Sequence, residues 1–209
     1  MDTVPQSKFQ DAYLRGSAPW VIGEPQPAIV ELERAGLIGG SVLDVGCGAG
    51  EHTIHLARLG YDVLGVDFAP AAVEQARENA LRHGVSARFA VADALRLDGL
   101  GGFDTVVDSA LFHVFDAGDQ VRYVRSLYAA TRPGAVVHVL ALSDVEPGFG
   151  PRISEAAIRA AFRDPGWVLE HVVPSRYRAI PSDEDRANLG LPATGPADLL
   201  AWLARARRC

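Results

Sequence analysis

Short apolar segments alternate along this chain with segments whose apolar residues recur at helical spacing. The apolar runs are rich in β-branched residues, and they are Ser41–Val45, Tyr61–Val66, Ala87–Val91, Phe103–Val107 and Ala135–Leu142. Runs of this length and continuity are typical of strands buried on both faces. The helical patterns between them are Glu51–Leu59, Pro70–His83 and Asp119–Thr131. Strand–helix alternation at this spacing predicts an α/β fold, in which helices cover both faces of a parallel sheet.

The segments outside this alternation predict further elements. Before the first strand, a Pro-rich turn, Ala18–Pro27, precedes a predicted helix, Ala28–Ala35. After the alternation, the chain predicts a helix, a strand and a polar connection: Ser154–Phe162, Trp167–Tyr177 and Pro181–Pro196. Pro174 favours an edge position or a bulge for that strand. The final segment, Asp198–Arg208, is helical by composition, although the alternation of its apolar residues also permits a closing strand.

Composition limits the class of protein. The chain has 209 residues, 48% of them hydrophobic and 22% charged, which predicts one domain with a buried core. A net charge of −6 disfavours nucleic-acid binding, which needs a basic surface. No apolar run has the length of a membrane span, and residues 1–10 are polar, unlike a secretory signal. Cys47 and Cys209 form no disulfide or metal-binding pattern, so we expect a cytoplasmic protein without a metal.

The first predicted strand ends in a turn with glycines at alternate positions, Gly46, Gly48 and Gly50. Glycine permits both a sharp turn and the close approach of backbone to a ligand. A dinucleotide-binding turn would have its third glycine where this chain has Glu51. Asp44, two residues before the turn, would also repel a pyrophosphate. The pattern favours a positively charged ligand without phosphate, such as S-adenosylmethionine, and disfavours a nicotinamide oxidoreductase.

Carboxylates also follow the second and third predicted strands. Asp67 lies about twenty residues after the glycine turn, where a carboxylate can accept hydrogen bonds from both hydroxyls of a ribose. Phe68, beside it, can stack on adenine. Asp93 can accept from the adenine amine, and the Ala94 N–H can donate to the adenine ring. Because the carboxyl ends of parallel strands meet at one edge of a sheet, these residues predict an adenosine site.

These motifs resemble those of class I S-adenosylmethionine-dependent methyltransferases. The resemblance covers residues 41–145 and rests on the segments Val42–Gly50, Val66–Pro70, Asp93–Ala94 and Phe103–Asp108. It implies a Rossmann-like, doubly wound sheet of seven strands, mostly parallel with one antiparallel strand. On that ground we expect a strand around Trp202–Arg207. It also implies S-adenosylmethionine as donor and S-adenosylhomocysteine as product, with cofactor contacts from Asp44, Gly46, Gly48, Asp67, Phe68, Asp93, Ala94 and Ser109.

The N-terminal segment carries a narrower resemblance. Tyr13–Trp20 and Gly23–Pro27 are similar to the opening of thiopurine and halide/thiol methyltransferases, and most of all to bacterial relatives that methylate small heterocyclic toxins. In that group the Pro-Trp segment folds over the cofactor. The resemblance therefore implies that Trp20 walls the methionine end of the cofactor and that residues 1–40 form a lid. The chain departs from the thiopurine and halide enzymes at Asp108–Phe115, which lacks their Asp-Arg-Gly segment.

The loop after the fourth predicted strand borders the transferred methyl group in this fold, and it contains Ser109, Phe112 and His113. Methyl transfer depends first on in-line geometry, and it needs a base only when the acceptor carries a proton. His113 can be that base, because the usual pKa of histidine is near neutrality. Alternatively, His113 caps the loop by a hydrogen bond to the backbone. The predicted acceptor pocket consists of Phe9, Tyr13, Phe112, His113 and Phe149.

The expected function is methylation of an oxygen, nitrogen or sulfur atom of a small aromatic or heterocyclic molecule. The alternatives are a quinone-type C-methyltransferase, a thiol or halide methyltransferase, and a protein that binds S-adenosylmethionine without turnover. We expect a single domain over residues 1–209, with the lid at 1–40, a cofactor-binding core at 41–145 and a substrate-side, sheet-closing part at 146–209. The expected partner is a small-molecule acceptor rather than nucleic acid or a membrane, and the chain is expected to be a monomer or homodimer.

Overall fold

The computed structural model of the protein describes residues 2–163 and 166–209. Its strands are β1 (Ser41–Val45), β2 (Asp62–Asp67), β3 (Arg88–Val91), β4 (Phe103–Ser109), β5 (Thr131–Leu142), β6 (Trp167–Ala179) and β7 (Ala197–Arg208). Its α-helices are α1 (Gln6–Arg15), α2 (Pro27–Arg34), α3 (Glu51–Arg58), α4 (Pro70–Arg82), α5 (Ala117–Ala130), α6 (Glu155–Ala161) and α7 (Asp183–Leu189). A short 3₁₀ turn spans Phe112–Val114. Among these residues, no helix combines the length and apolar character needed to cross a membrane.

The strands form one seven-stranded sheet in the order β3-β2-β1-β4-β5-β7-β6. Strands β1 to β5 pair in parallel, whereas β7 runs antiparallel to both of its neighbours, β5 and β6. The strand order reverses between β1 and β4, which is where open α/β sheets bind ligands. The predicted doubly wound sheet, mostly parallel with one antiparallel strand, is confirmed.

The core of the sheet explains why the central strands are almost continuously apolar. Val42 and Leu43 of β1 and Val106 and Val107 of β4 are fully buried, because helices cover both faces of the sheet. Several of the polar residues in these strands lie near the carboxyl edge, among them Asp44, Asp67 and Asp108.

The last strand was the element on which composition and resemblance disagreed. Residues 197–208 form β7, which pairs with β5 on one side and β6 on the other. A central position satisfies the backbone of this segment on both sides, and that outweighs the modest helix propensity of Ala, Leu and Arg. The predicted closing strand is confirmed, and the helical alternative is wrong. Pro174 lies on β6, which is one of the two edge strands.

Two helices differ from the sequence-based prediction. The N-terminal segment contains α1, and the connection after β6 contains α7. Helix α7 begins with a capping box, in which Ser182 Oγ and the Asp185 carboxylate each accept from the other residue's backbone N–H. Helix α1 has no side-chain cap at Pro5 and ends at Gly16 in the left-handed conformation. Helix α1 positions side chains that cover a cavity at the carboxyl edge of the sheet.

Candidate active site

A cavity opens at the carboxyl edge of the sheet. Its empty space is about 1170 Å³, a volume that includes the solvent at its open mouth. Its floor includes the carboxyl ends of β1, β2 and β4, at Val45, Asp67 and Ser109, and the turn after β3, at Asp93. Helix α1 and the following turn close one side, while the Phe149 loop and the end of β6 close the other. No lysine or arginine lines this cavity within residues 2–163 and 166–209.

The glycine turn after β1 has a backbone that only glycine adopts without strain. Gly46, Gly48 and Gly50 have φ values of 70°, 54° and 86°. A Cβ on Gly48 would lie 2.5 Å from the hydroxyl of Tyr13, and one on Gly46 would lie 3.1 Å from Leu111. Gly46 lines the cavity, whereas Gly48 lies under Tyr13 beside it. The turn is therefore pressed between the sheet and the N-terminal segment.

Asp67, at the end of β2, faces this cavity and is only 7% exposed. Its Oδ2 accepts from the Gly48 N–H at 3.0 Å, and its Oδ1 accepts from the Ala69 N–H at 2.9 Å. Burial raises the pKa of the carboxyl, while these two hydrogen bonds oppose the rise. Each carboxylate oxygen retains a further lone pair, so Asp67 can accept from a ligand hydroxyl as well.

Asp44 has a different place from the one expected of a cofactor ligand. It is 1% exposed and does not line the cavity. Its Oδ2 accepts from both the N–H of Thr53, at 3.1 Å, and the Thr53 hydroxyl, at 2.6 Å. Burial raises the pKa of Asp44 to about 6. Asp44 thus fastens the end of β1, just before the glycine turn, to the first turn of α3.

Aromatic side chains cover the cavity from the N-terminal side. The ring of Phe9 lies 5.5 Å from Trp20 and 6.0 Å from Phe68, measured between centroids. Trp20 also packs 5.9 Å from Tyr13 and donates its Nε1–H to the Tyr13 hydroxyl at 2.7 Å. All four line the cavity. The structure brings together the predicted lid residues and the aromatic residue after β2.

Asp93 and Ala94 lie at the same edge after β3, and both line the cavity. Asp93 Oδ1 accepts from the N–H of Leu95 at 2.9 Å, which fixes the carboxylate in a tight turn. Asp93 and Asp67, which follow the neighbouring strands β3 and β2, thus both line the cavity. Their carboxylates are suited to accept from hydroxyl and amine donors.

The end of β4 holds an unpaired hydroxyl and a strained residue. Ser109 Oγ is buried without a hydrogen-bond partner among the described residues, and Ser109 lines the cavity. Ala110 has a φ of 71°, which costs a non-glycine residue on the order of 1 kcal/mol. Its N–H donates to the carbonyl of Leu140 at 2.9 Å, which holds the kink against β5. A buried hydroxyl without a hydrogen-bond partner, next to a residue with a strained backbone, is typical of a ligand-binding position.

Asp108 is an anchor for the loop that follows β4, a role that the motif comparison did not reveal. Its carboxyl is fully buried and accepts from the Tyr123 hydroxyl at 2.8 Å. It also accepts from the backbone N–H groups of Leu111 and Phe112, at 3.0 and 3.3 Å. Burial raises the pKa of Asp108 to about 7. Three donors on one carboxyl therefore set the path of the loop into the 3₁₀ turn.

His113 lies on that turn and lines the cavity. Its Nδ1 accepts from the backbone N–H of Leu142 at 3.0 Å. Burial lowers the pKa of the imidazole to about 4, and no charged group opposes this. The geometry favours the alternative that the sequence left open, in which His113 caps the loop.

Phe112 does not line the cavity. It is fully buried and packs 6.0 Å from both Tyr123 and Phe162. The 3₁₀ turn directs adjacent side chains to different sides, so Phe112 enters the core and His113 meets the cavity. Phe149 lines the cavity, as expected.

Tyr177 and Ala179 also line the cavity, and sequence analysis missed both. They lie at the carboxyl end of β6, and this strand runs in the same direction as β1 to β5, because β7 is antiparallel to both β5 and β6. Their edge position was therefore readable from the predicted topology. Burial raises the pKa of Tyr177, so its hydroxyl stays protonated.

Comparisons with known proteins agree with this architecture. A family model described as "Methyltransferase domain" matches residues 42–134. The chain is 35% identical over 188 residues to the 2-heptyl-1-hydroxyquinolin-4(1H)-one methyltransferase of Mycobacteroides abscessus, covering 83% of this chain and 82% of that protein. A structure from work on the conversion of a disulfide bond into a thioacetal group during echinomycin biosynthesis is 39% identical, with a TM-score of 0.84 and coverage of 98% and 93%. The 1,6-didemethyltoxoflavin-N1-methyltransferase of Burkholderia thailandensis has the same fold at 22% identity, with a TM-score of 0.71 and coverage of 97% and 86%.

The residues of the cavity fit the cofactor that such enzymes use. The buried Ser109 hydroxyl lacks a partner, the glycine turn leaves no room for a Cβ, and the lining carries carboxylates without a lysine or arginine among the described residues. This donor set suits a cationic adenosyl ligand and opposes a pyrophosphate. Fold, cavity chemistry and sequence identity over most of both chains agree: the chain belongs to the family of S-adenosylmethionine-dependent methyltransferases.

Proposed function

We propose that this enzyme methylates an oxygen, nitrogen or sulfur atom of a small, largely apolar heterocyclic molecule. The observation that carries the proposal is the apolar lining of the cavity, which includes Leu111, Val114, Phe115, Phe149 and Tyr177 together with His113. Such a wall favours a planar apolar ring, and its few polar atoms fix the orientation of that ring. The hydroxyquinolone and didemethyltoxoflavin named for two of the relatives are small heterocyclic molecules.

We propose these roles for the residues that meet the cofactor. Asp67 accepts from the ribose hydroxyls, Phe68 packs on the adenine, and Asp93 and Ala94 hold the adenine edge. Ser109 and Trp20 border the methionine end. Gly46 gives the cofactor close access to the backbone, whereas Gly48 and Asp44 support the turn from behind the wall.

In this proposal, the bound cofactor supplies a methyl group on a positively charged sulfur. The protein's own part is to hold the acceptor in line with that methyl group and to exclude water. The hydrogen bond between Tyr123 and Asp108 fixes the loop that carries His113. The aromatic side chains of the lid cover the cavity from the N-terminal side. No described group of three or more His, Cys, Asp or Glu side chains is arranged to bind a metal.

We also propose the organisation of the chain. Residues 1–40 form a lid, 41–145 bind the cofactor, and 146–209 close the sheet and complete the acceptor pocket within a single domain. The partner is a small-molecule acceptor rather than nucleic acid or a membrane, and the protein acts in the cytoplasm as a monomer or homodimer. The acidic net charge of −6 and the absence of lysine and arginine from the described lining of the cavity support a non-nucleic-acid acceptor.

The lid makes a measurable prediction. Because Phe9, Tyr13 and Trp20 line the cavity, a bound cofactor holds α1 in place and reduces its local opening. Saturating S-adenosylhomocysteine should slow tryptic cleavage after Arg15 by at least about 10-fold. The variant Trp20→Ala should lose most of this protection while still binding the nucleoside. Equal cleavage rates with and without the ligand would show that the segment is not a lid.

The proposed function is tested in two stages. Calorimetry should detect binding of S-adenosylhomocysteine and no binding of NADH. A methyl donor with a labelled methyl group should then label hydroxyquinolones, apolar phenols or aromatic thiols, but not halide or oligonucleotides. Transfer only to a carbon atom of a quinone would favour the alternative chemistry, and binding without any transfer would favour the non-catalytic alternative.

A further inference from the structure

The hydrogen bond at His113 fixes which of its nitrogen atoms carries the proton. A backbone N–H is a donor only, so the Nδ1 atom that receives the Leu142 N–H at 3.0 Å has an available lone pair and no proton. In the neutral ring the proton is then on Nε2. Nε2 has no hydrogen-bond partner among the described residues, and the His113 ring lies at the cavity wall. The structure therefore presents an N–H donor to the acceptor where a catalytic base would present a lone pair.

The groups around His113 do not convert it into a base. Its ring is 4% exposed and buried between the loop and β5, and burial favours its neutral form. Asp108, behind the loop on β4, is engaged by Tyr123 and two N–H groups rather than by the imidazole. From α1 and β6 the facing titratable groups are the hydroxyls of Tyr13 and Tyr177, and burial holds both in the protonated form.

The remaining titratable groups at the cavity are the carboxylates of Asp67 and Asp93. Both lie at the ends of β2 and β3, and each already accepts a backbone N–H. They belong to the proposed nucleoside end. Apart from these two carboxylates, the described side chains that line the cavity include donors, from His113 and Tyr177, but no group that would act as a base.

We infer that the enzyme takes its acceptor as an anion that has already lost its proton to solvent, and that His113 Nε2–H holds the anionic oxygen or sulfur, or an oxygen conjugated with it. This inference rests on the proposed function and deepens it. It selects acceptors that ionise near neutral pH, such as N-hydroxy heterocycles, acidic phenols and aromatic thiols. His113 is then a positioning residue for the acceptor rather than the base.

The balance of the transfer agrees with a site that has no base. The acceptor anion shares its electron pair with the methyl carbon, and the carbon–sulfur bond breaks with its electron pair left on the sulfur. A cation and an anion give two uncharged centres, so no proton moves during the step and no protein group changes its protonation. The proton was released when the acceptor ionised, outside the site.

A binding experiment tests the charge state of the acceptor without turnover. 4-Nitrophenol is a suitable probe, because its anion and its neutral acid have different absorption spectra. In the complex with S-adenosylhomocysteine, the apparent pKa of bound 4-nitrophenol should fall by about 1 unit relative to the free phenol, since the anion gains a hydrogen bond. A bound phenol that stays neutral, with an unchanged or raised pKa, would overturn the inference.

Two variants separate the donor from the other possible roles. His113→Gln retains an N–H donor in the place of Nε2, whereas His113→Asn retains an acceptor for the Leu142 N–H and loses the donor. If His113 is a donor, kcat/KM should fall less than about 5-fold in H113Q and about 10- to 100-fold in H113N. A His113 whose sole role is to accept from the Leu142 N–H predicts the reverse order, and a base predicts that both variants lose activity to a similar extent. His171→Gln, on the exposed face of β6, is the matched control.

The pH profile provides an independent measure. Across phenols of increasing acidity, the pH at which kcat/KM reaches half its plateau should follow the pKa of each acceptor. A midpoint shared by all acceptors would assign the ionisation to the protein and contradict the inference. Failure of S-adenosylhomocysteine to bind would instead reject the proposed function, so the two failures are distinguishable.

Discussion

Replacing Asp67 by alanine is expected to weaken the binding of S-adenosylhomocysteine by at least about 100-fold. The carboxylate is 7% exposed at the cavity edge and holds the N–H groups of Gly48 and Ala69. Alanine removes the acceptor for the ribose and at the same time releases the glycine turn. Each hydrogen bond to a charged group contributes about 1.5–3 kcal/mol, so losing two ligand contacts has a large effect.

Calorimetry with the purified variants measures this loss. Asp67→Asn retains one acceptor oxygen and the shape of the side chain, so its affinity should lie between those of the wild type and Asp67→Ala. Asp62→Ala is the matched control, because Asp62 begins the same strand but lies exposed at the opposite edge of the sheet. Wild-type affinity in a folded Asp67→Ala protein would remove Asp67 from the site and with it the proposed orientation of the cofactor.

The position of Asp67 shows how far the sequence predicts this site. Strand ends at a parallel edge are readable, because apolar runs end abruptly in carboxylates, and Asp67 and Asp93 both line the cavity as expected. Asp44 follows the same pattern but turns to Thr53 on α3. Whether a carboxylate at the end of a strand accepts from a nearby donor depends on the first turn of the next helix. The motif alone does not specify this.

The loop after β4 shows a second limit. Phe112 and His113 are adjacent, and both were expected in the pocket, yet only His113 lines it. The separation depends on a 3₁₀ turn that three hydrogen bonds to the buried Asp108 carboxyl support. Sequence spacing does not distinguish such a turn from an irregular loop.

The elements themselves were more predictable than these contacts. Residues 197–208 needed the topology of the whole sheet, since their local composition favours a helix. Helix α7 was readable from its capping box at Ser182, inside a segment otherwise interpreted as a loop. Helix α1 has no comparable start signal, and its contacts with the glycine turn come from tertiary packing.

The carboxyl of Asp108 is expected to make this protein less stable as the pH rises. Burial raises its pKa in the folded state to about 7, from 3.8 as a reference value. The pKa of the Asp108 carboxyl is higher in the folded state than in the unfolded state. Its contribution to stability is therefore complete below the unfolded-state pKa, and it is lost as the pH rises through the folded-state pKa of about 7. The hydrogen bonds from Tyr123, Leu111 and Phe112 lower the free-energy cost of ionising the buried carboxyl but do not abolish it.

Asp108→Asn isolates this effect, because asparagine has the shape of the protonated acid and does not ionise. The free energy of unfolding of the variant relative to the wild type should increase by about 2–3 kcal/mol between pH 5 and pH 8. The buried histidines His52, His113 and His138 have lowered pKa values and act in the opposite direction, but they are common to both proteins and cancel in the difference.

Chemical denaturation at several pH values provides the measurement, and Asp104→Asn provides the control on the same strand. The pKa of Asp104 is lowered by the Ser41 N–H and by Arg132, so its contribution is lost as the pH falls rather than as it rises. The Asp104→Asn difference should therefore not increase between pH 5 and pH 8. If the Asp108→Asn difference is also flat in this range, the carboxyl of Asp108 ionises in the folded protein at its ordinary pKa. The carboxylate that anchors the loop after β4 is then already charged at neutral pH.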